Sequence, residues 1–257
     1  PKPSSAASDV YKRQHDDLAM HAAMVYDFAF DYLSRHPHAH LKEIGKDTKS
    51  VAVEVFKRFI NIGLVRGGKS GNWNVNGWNM MLRPVLVLDS DEAYPDGKGK
   101  EYYLNLLVNE STPYHDAIPD MLKTYDPVTG LWPESPGYSF GTIQMLLDWA
   151  APLKRAGIDI IAGNPILQKA AMAVFPWMDD AANMVVFGDS RGGSANFQTF
   201  ENLLAYYAGI TDKADMEKVA SALNKGISQK KYTRNNAGWT GLCTYTCLLY
   251  TSPSPRD

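Results

Sequence analysis

Cysteine is nearly absent. Only Cys243 and Cys247 occur in 257 residues, which excludes a disulfide-stapled fold and a cysteine-built metal site. No apolar run reaches the ~20 residues that a membrane-spanning helix requires, so membrane insertion is not expected. Positive charge is not in excess: 26 Lys and Arg face 28 Asp and Glu, a net charge of −2. A nonspecific nucleic-acid binder wants a basic face, so nucleic acid is not an expected partner. Gly67 to Gly71 reads GGKSG, without the preceding strand or the spacing of a phosphate loop. His36, His38 and His40 alternate around Pro37, but with no matching ligand cluster they read as an exposed turn. The acidic loop Asp89 to Lys100 lacks the ordered ligand spacing of a calcium loop and reads as a solvated loop. No metal and no cofactor are expected.

The ends read differently from the middle. Pro1 to Gln14 (PKPSSAASDVYKRQ) and Cys247 to Asp257 (CLLYTSPSPRD) resemble translated sequencing adapters. On that reading 1–14 and 247–257 are disordered and lie outside fold reasoning. What remains, His15 to Thr246, is then one truncated helical domain (15–246) of a longer protein. Its formal charge is about −4, since the leading segment carries a net +2 and the trailing one none. Its one cysteine is Cys243.

Within it, apolar residues recur at helical spacing. Asp16 to Ser34 presents Leu18, Ala22, Val25, Phe28, Ala29, Tyr32 and Leu33. Asp47 to Leu64 presents Val53, Val55, Phe56, Phe59, Ile60 and Leu64, with Thr48 or Ser50 as cap. Trp73 to Leu88 is apolar on nearly every side toward its end, as a buried inner helix should be, with Pro84 near its last turns. Helices are also expected over Glu101–Glu110, Tyr114–Tyr125, Phe140–Arg155, Asn164–Phe175, Asn196–Ala208 and Asp212–Ile227. Asp126 to Gly130 has turn chemistry. Met184 to Phe187 is the single convincing strand candidate. The succession predicts an all-α fold, an incomplete (α/α) toroid or barrel of helical hairpins.

Two stretches stand out for chemistry. Gly71 to Leu88 begins GNWNVNGW, and Trp132 to Phe140 reads WPESPGYSF. Both place amides and aromatics at helix entrances, and both are expected to face one cleft. Trp and Tyr present flat apolar faces with a polar handle, which suits a sugar ring. Asn both donates and accepts, as hydroxyls and a carboxylate demand. Buried Trp packing and Asn capping are the competing reading.

The order of NWN with an apolar helix, then W-P-E-S-P-G-Y opening a helix, then F-G-D-S at Phe187 to Ser190, resembles the heparinase II/III-like polysaccharide lyases. The likeness covers most of His15 to Thr246. It implies a helical toroid followed by a β-sandwich domain, here missing from the C-terminal side, and cleavage of uronate-containing acidic glycans by β-elimination. Tyr138 matches the family tyrosine that acts as general acid, in some members as base too; that role needs surroundings favouring the phenolate. Asn72 matches the amide that neutralises the substrate carboxylate, with Asn74 competing for the role. Trp73, Trp132 and Glu134 would shape the sugar subsite. The family's His beside the Asn is replaced by Gly71 and Trp73, and a second His comes from the sandwich domain, so this chain alone is expected to lack its full catalytic set. His115 is expected at the surface. The resemblance also implies a periplasmic or secreted location. Two other functions remain: a glycoside hydrolase on an α/α barrel, using two of Glu134, Asp148 and Asp189, or a non-catalytic glycan-binding protein.

Overall fold

The computed structural model describes residues 5–69, 71–188, 190, 197–206 and 212–233, with backbone alone for 5–17, 205 and 206. The described residues form α-helices with no β-strand among them, so the fold is all-α. They divide into two compact units, Pro1–Met121 and Leu122–Asp257.

Unit 1 is built around α4. Its helices are α1 (Ser5–Arg35), α2 (Ala39–Glu43), α3 (Thr48–Arg66), α4 (Gly71–Leu86) and α5 (Lys100–Asn109), and α4 packs against α1, α3 and α5. Val75, Trp78, Leu82 and Val85 recur every three or four residues along α4, and all four are fully buried. Each contributes roughly 1.5–3 kcal/mol by leaving water. Phe56 and Ile60 of α3 and Tyr103 and Leu107 of α5 complete this core.

Several expected boundaries and faces shift. Helix α1 begins at Ser5 rather than Asp16, so the adapter-like residues from Ser5 to Gln14, expected to be disordered, are helical. Between Ser4 and Gln14 there is neither Gly nor Pro, and a formed helix extends cheaply through residues that lack a breaker. The face of α1 that packs is also not the expected one. Ala19, Ala23 and Tyr26 are buried, while Leu18, Val25, Phe28 and Tyr32 are exposed. Both stripes have helical spacing; the alanines admit close approach to α4, and Tyr26 meets Phe56 edge-on at 5.7 Å. On α3, Val55 is likewise exposed. The α3 cap is Asp47, whose carboxylate accepts from the Ser50 amide (2.9 Å) in a capping box.

The acidic loop is put to structural use. Asp91 Oδ1 accepts from the amides of Gly99 (2.8 Å) and Tyr102 (3.0 Å). It thereby caps α5, whose own N-cap Gly99 has no side chain. A Cβ on Gly99 would lie 2.6 Å from the Ser90 backbone, so only glycine lets the loop close.

The expected helix over Tyr114–Tyr125 shrinks to α6 (Ile118–Leu122). Thr112 and His115 instead form an isolated bridge, and the backbone of Asp116 is captured from outside. Backbone groups satisfied by tertiary partners have no need of a helix. His115, expected at the surface, is buried; its Nε2 lies 3.4 Å from the Leu107 carbonyl oxygen and its ring 5.9 Å from that of Trp78.

Unit 2 is organised by α7 (Pro136–Arg155). It packs on α8 (Pro165–Met172) and α9 (Phe197–Tyr206), and α9 packs on α10 (Lys213–Ser228). Ile143, Leu146, Leu147, Trp149 and Leu153 of α7 are fully buried, as are Phe200 and Leu203 of α9. Helix α7 starts at Pro136, four residues before the expected Phe140, which places Tyr138 in its first turn. Met184 to Phe187 is not a strand. Met184 makes one bridge to Met178, and Val185, Val186 and Phe187 are exposed. β-propensity alone does not make a strand where no second strand offers a ladder. The expected start of α9 at Asn196 and its end at Ala208, and the adapter-like segment 247–257, fall outside the described residues.

Candidate functional site

The entrance of α7 in unit 2 is assembled from three stretches of chain. Ser135 is the N-cap residue, yet its side chain makes no capping bond. Ser190, from the F-G-D-S stretch, takes that role. Its Oγ donates to Ser135 Oγ (2.7 Å) and accepts from the Gly137 amide (2.8 Å). A Cβ on Gly137 would stand 3.0 Å from Ser190 Oγ, so the glycine admits the loop. Gly188, at φ +64°, turns the chain into this contact. The spacing of the two motifs thus has a mechanical meaning: one caps the other's helix. Asp189 lies outside the described residues.

Beneath this entrance runs a buried polar chain. Ser139 Oγ donates to the Trp132 carbonyl (3.1 Å), Thr142 Oγ1 to the Ser139 carbonyl (2.9 Å), and the Tyr125 hydroxyl to Thr142 Oγ1 (3.2 Å). Trp132 is buried with its ring edge-on to Tyr125 at 4.9 Å. Its flat face is therefore packed in the unit, not presented to a ligand. Its indole N–H donates to Glu134 Oε2 (2.7 Å), which orients an exposed carboxylate. Tyr138, in contrast, is 38 % exposed in the first turn of α7, and its phenol makes no hydrogen bond among the described residues. Gly137 and Gly141 flank it, and a Cβ on Gly141 would meet nothing within 4 Å. The phenol is held by a rigid helix and left open on the outside.

The entrance of α4 in unit 1 separates the two asparagines that compete for the same role. Asn74 is buried, its amide nitrogen donating to the Asp116 carbonyl (3.0 Å) and its oxygen accepting from the Asp116 amide (3.0 Å). Trp78 Nε1 donates to the same carbonyl at 3.3 Å. Asn74 is thus a clamp on the 112–116 turn, with both its functional ends engaged. Asn72 and Asn76 are half-buried, and neither amide is bonded among the described residues. Trp73 is 45 % exposed. Lys69 donates to the Thr112 carbonyl (3.0 Å) and pairs with Asp116 Oδ1 (3.3 Å), tying the glycine turn to the 112–116 turn.

The remaining candidates sort plainly. Asp148 accepts from Asn202 Nδ2 at 2.5 Å. His38 caps α2, and the His36 ring nitrogen lies 2.9 Å from the Tyr32 carbonyl. Among the described residues no group of three or more His, Cys, Asp or Glu is placed to hold a metal ion. No described helix is long and apolar enough to cross a membrane.

Of the six residues singled out from sequence, Asn72, Trp73, Glu134 and Tyr138 offer groups to solvent, while Asn74 and Trp132 are structural. Sequence reasoning missed Ser190 as the cap and Asn74's partner Asp116. Neither leaves a local signal, because each pairing spans more than forty residues. No protein-family model, curated protein or solved structure matches the chain.

Proposed function

We propose that the protein cleaves uronate-containing acidic polysaccharides by β-elimination, on a toroid of helical hairpins of the heparinase II/III-like kind. The observation that carries this reading is Tyr138: an exposed phenol on the first turn of a rigid helix, unbonded among the described residues, with open space beside the neighbouring Gly141. In elimination the proton beside the carboxylate leaves to a base, its electron pair becomes the ring double bond, and the bond from the ring to the glycosidic oxygen breaks. The leaving oxygen takes a proton. Tyr138 supplies or takes a proton in that sequence. The resemblance assigns the substrate carboxylate to Asn72, an amide that stabilises the negative charge developing there. Glu134, oriented by Trp132, borders the sugar. In this reading a β-sandwich domain of the parent protein contributes the remaining His, and the site of action is the periplasm or beyond it.

The test incubates the parent protein, in which the expected β-sandwich domain is present, with a panel of acidic polysaccharides and follows two signals, the ultraviolet absorbance of an unsaturated uronate and the release of reducing ends. Both rising, and both lost in Tyr138→Phe, is the expected result. Reducing ends without absorbance, lost in Glu134→Gln, would make it a hydrolase. Binding with neither signal would leave a glycan-binding protein.

A further inference from the structure

A second aromatic residue, invisible as a candidate in the sequence, joins Trp73 at the α4 entrance. Tyr114 sits in the 112–116 turn and is 50 % exposed. Tyr114 and Trp73 each pack on one of two consecutive glycines. A Cβ on Gly67 would lie 3.0 Å from the Tyr114 carbonyl oxygen, and one on Gly68 would lie 2.8 Å from the Trp73 Cβ. Neighbouring α-carbons are about 3.8 Å apart, so the Tyr114 carbonyl and the Trp73 Cβ pack against adjacent residues of the glycine turn. The glycines carry no side chain to cover either ring.

The turn that carries Tyr114 is held with unusual thoroughness for a segment with no regular structure. Asn74 grips both backbone groups of Asp116, Trp78 adds a third bond, and Lys69 reaches the Thr112 carbonyl and the Asp116 carboxylate. Thr112 Oγ1 donates to the Leu64 carbonyl at 3.1 Å, and the buried His115 plugs the turn from below. All this rigidity surrounds a large aromatic side chain that faces water. Large aromatic side chains exposed together on a fixed frame have a cost in solvation that a ligand recovers. The amides of Asn72 and Asn76, unbonded among the described residues and one helical turn apart on α4, stand on the same side of that helix.

We infer that Trp73 and Tyr114 form an aromatic saccharide subsite of unit 1, with Asn72 and Asn76 as its hydrogen-bonding edge, and that its ligand is a uronate unit of the acidic glycan. The inference rests on the function proposed above and deepens it. The rings take the apolar face of a pyranose, and the amides read its hydroxyls and carboxylate. Asn74 is a positioning residue for Tyr114.

The test is the affinity of the full chain for a mannuronate tetrasaccharide and a glucuronate-containing heparan tetrasaccharide, with cellotetraose as the uncharged control. Whichever uronate ligand binds is then titrated into variants. Tyr114→Ala and Trp73→Ala are each expected to weaken binding about tenfold, within the range for aromatic contacts. Tyr114→Phe, which keeps the ring, should bind as the wild type does. Asn76→Ala should weaken the uronate ligand while leaving cellotetraose unchanged. Circular dichroism melting curves check that the exposed substitutions leave the fold intact. Binding that is indifferent to Tyr114→Ala overturns the subsite and leaves the polysaccharide reading standing. Failure of the wild type to bind either uronate ligand overturns both.

Discussion

Asn72 and Asn74 stand two residues apart, carry the same amide and do opposite things. Helical geometry turns position 74 about 200° from position 72, inward to Asp116, and leaves Asn72 at the rim. Asn74→Ala would strand the half-buried amide of Asp116, an unmade bond that costs about 1–3 kcal/mol, while Trp78 still holds the carbonyl. The expected loss of stability is therefore about 1–3 kcal/mol by urea unfolding, with Asn72→Ala within about 0.5 kcal/mol of wild type. Equal losses for the two would mean that Asn74 is not the clamp. From sequence the two asparagines were indistinguishable, because what separates them is a partner forty-two residues away. Tyr138 was singled out by the W-P-E-S-P-G-Y motif, while its place in the first turn of α7 and its exposure came from the structure.

At the scale of elements, sequence periodicity located the helices and missed which face they use. Helix α1 has two stripes of apolar spacing, and the alanine-lined one packs because small side chains let the backbones approach. The expected strand at Met184 had the composition but lacked a partner. Helix α7 depends on Ser190 for the cap its own Ser135 does not provide. Close approach between elements is visible at Gly226 of α10. A Cβ there would lie 2.5 Å from two ring atoms of Phe197 on α9. Both residues are buried, so the ring has little room to give. Gly226→Ala is expected to cost about 1–3 kcal/mol as overpacking, despite the helix propensity that alanine adds. A thermal melt showing Gly226→Ala as stable as wild type would mean that α9 and α10 separate easily.

For the whole molecule, buried titratable groups set the pH range of stability, and the two units differ on the acid side. In unit 1, burial holds the His115 imidazole below its ordinary 6.5, opposed by the Leu107 carbonyl. The native ring stays neutral while an unfolded chain takes a proton. Unit 1 therefore keeps this stabilisation above pH 6.5 and loses it as pH falls below that value, toward the native one. In unit 2 the native-state shifts on acids are depressed carboxylates, Asp126, Asp159 and Asp179, whose contributions fade only below the ordinary 3.8. On the alkaline side the sign is shared. Burial raises the Tyr125 phenol of unit 2, as it raises Tyr26, Tyr94 and Tyr103 of unit 1, so stability is complete below pH 10 and declines above it. Hydrogen exchange of α4 and α7 amides across pH 7 to 5 should show α4 weakening first, and His115→Gln should remove the difference (the window is about one unit either side of neutral His titration). Parallel weakening of both helices would contradict the assignment.

The all-α character and the position of most helices follow from sequence alone, because local spacing and turn chemistry act over a few residues. Which asparagine clamps the 112–116 turn, why Trp132 is core, how Ser190 caps a helix more than fifty residues earlier and how Tyr114 and Trp73 come to pack on the same glycine turn were decided only by tertiary structure. Each depends on a contact between segments far apart in the chain, and neither periodicity nor propensity carries information about partners at that distance.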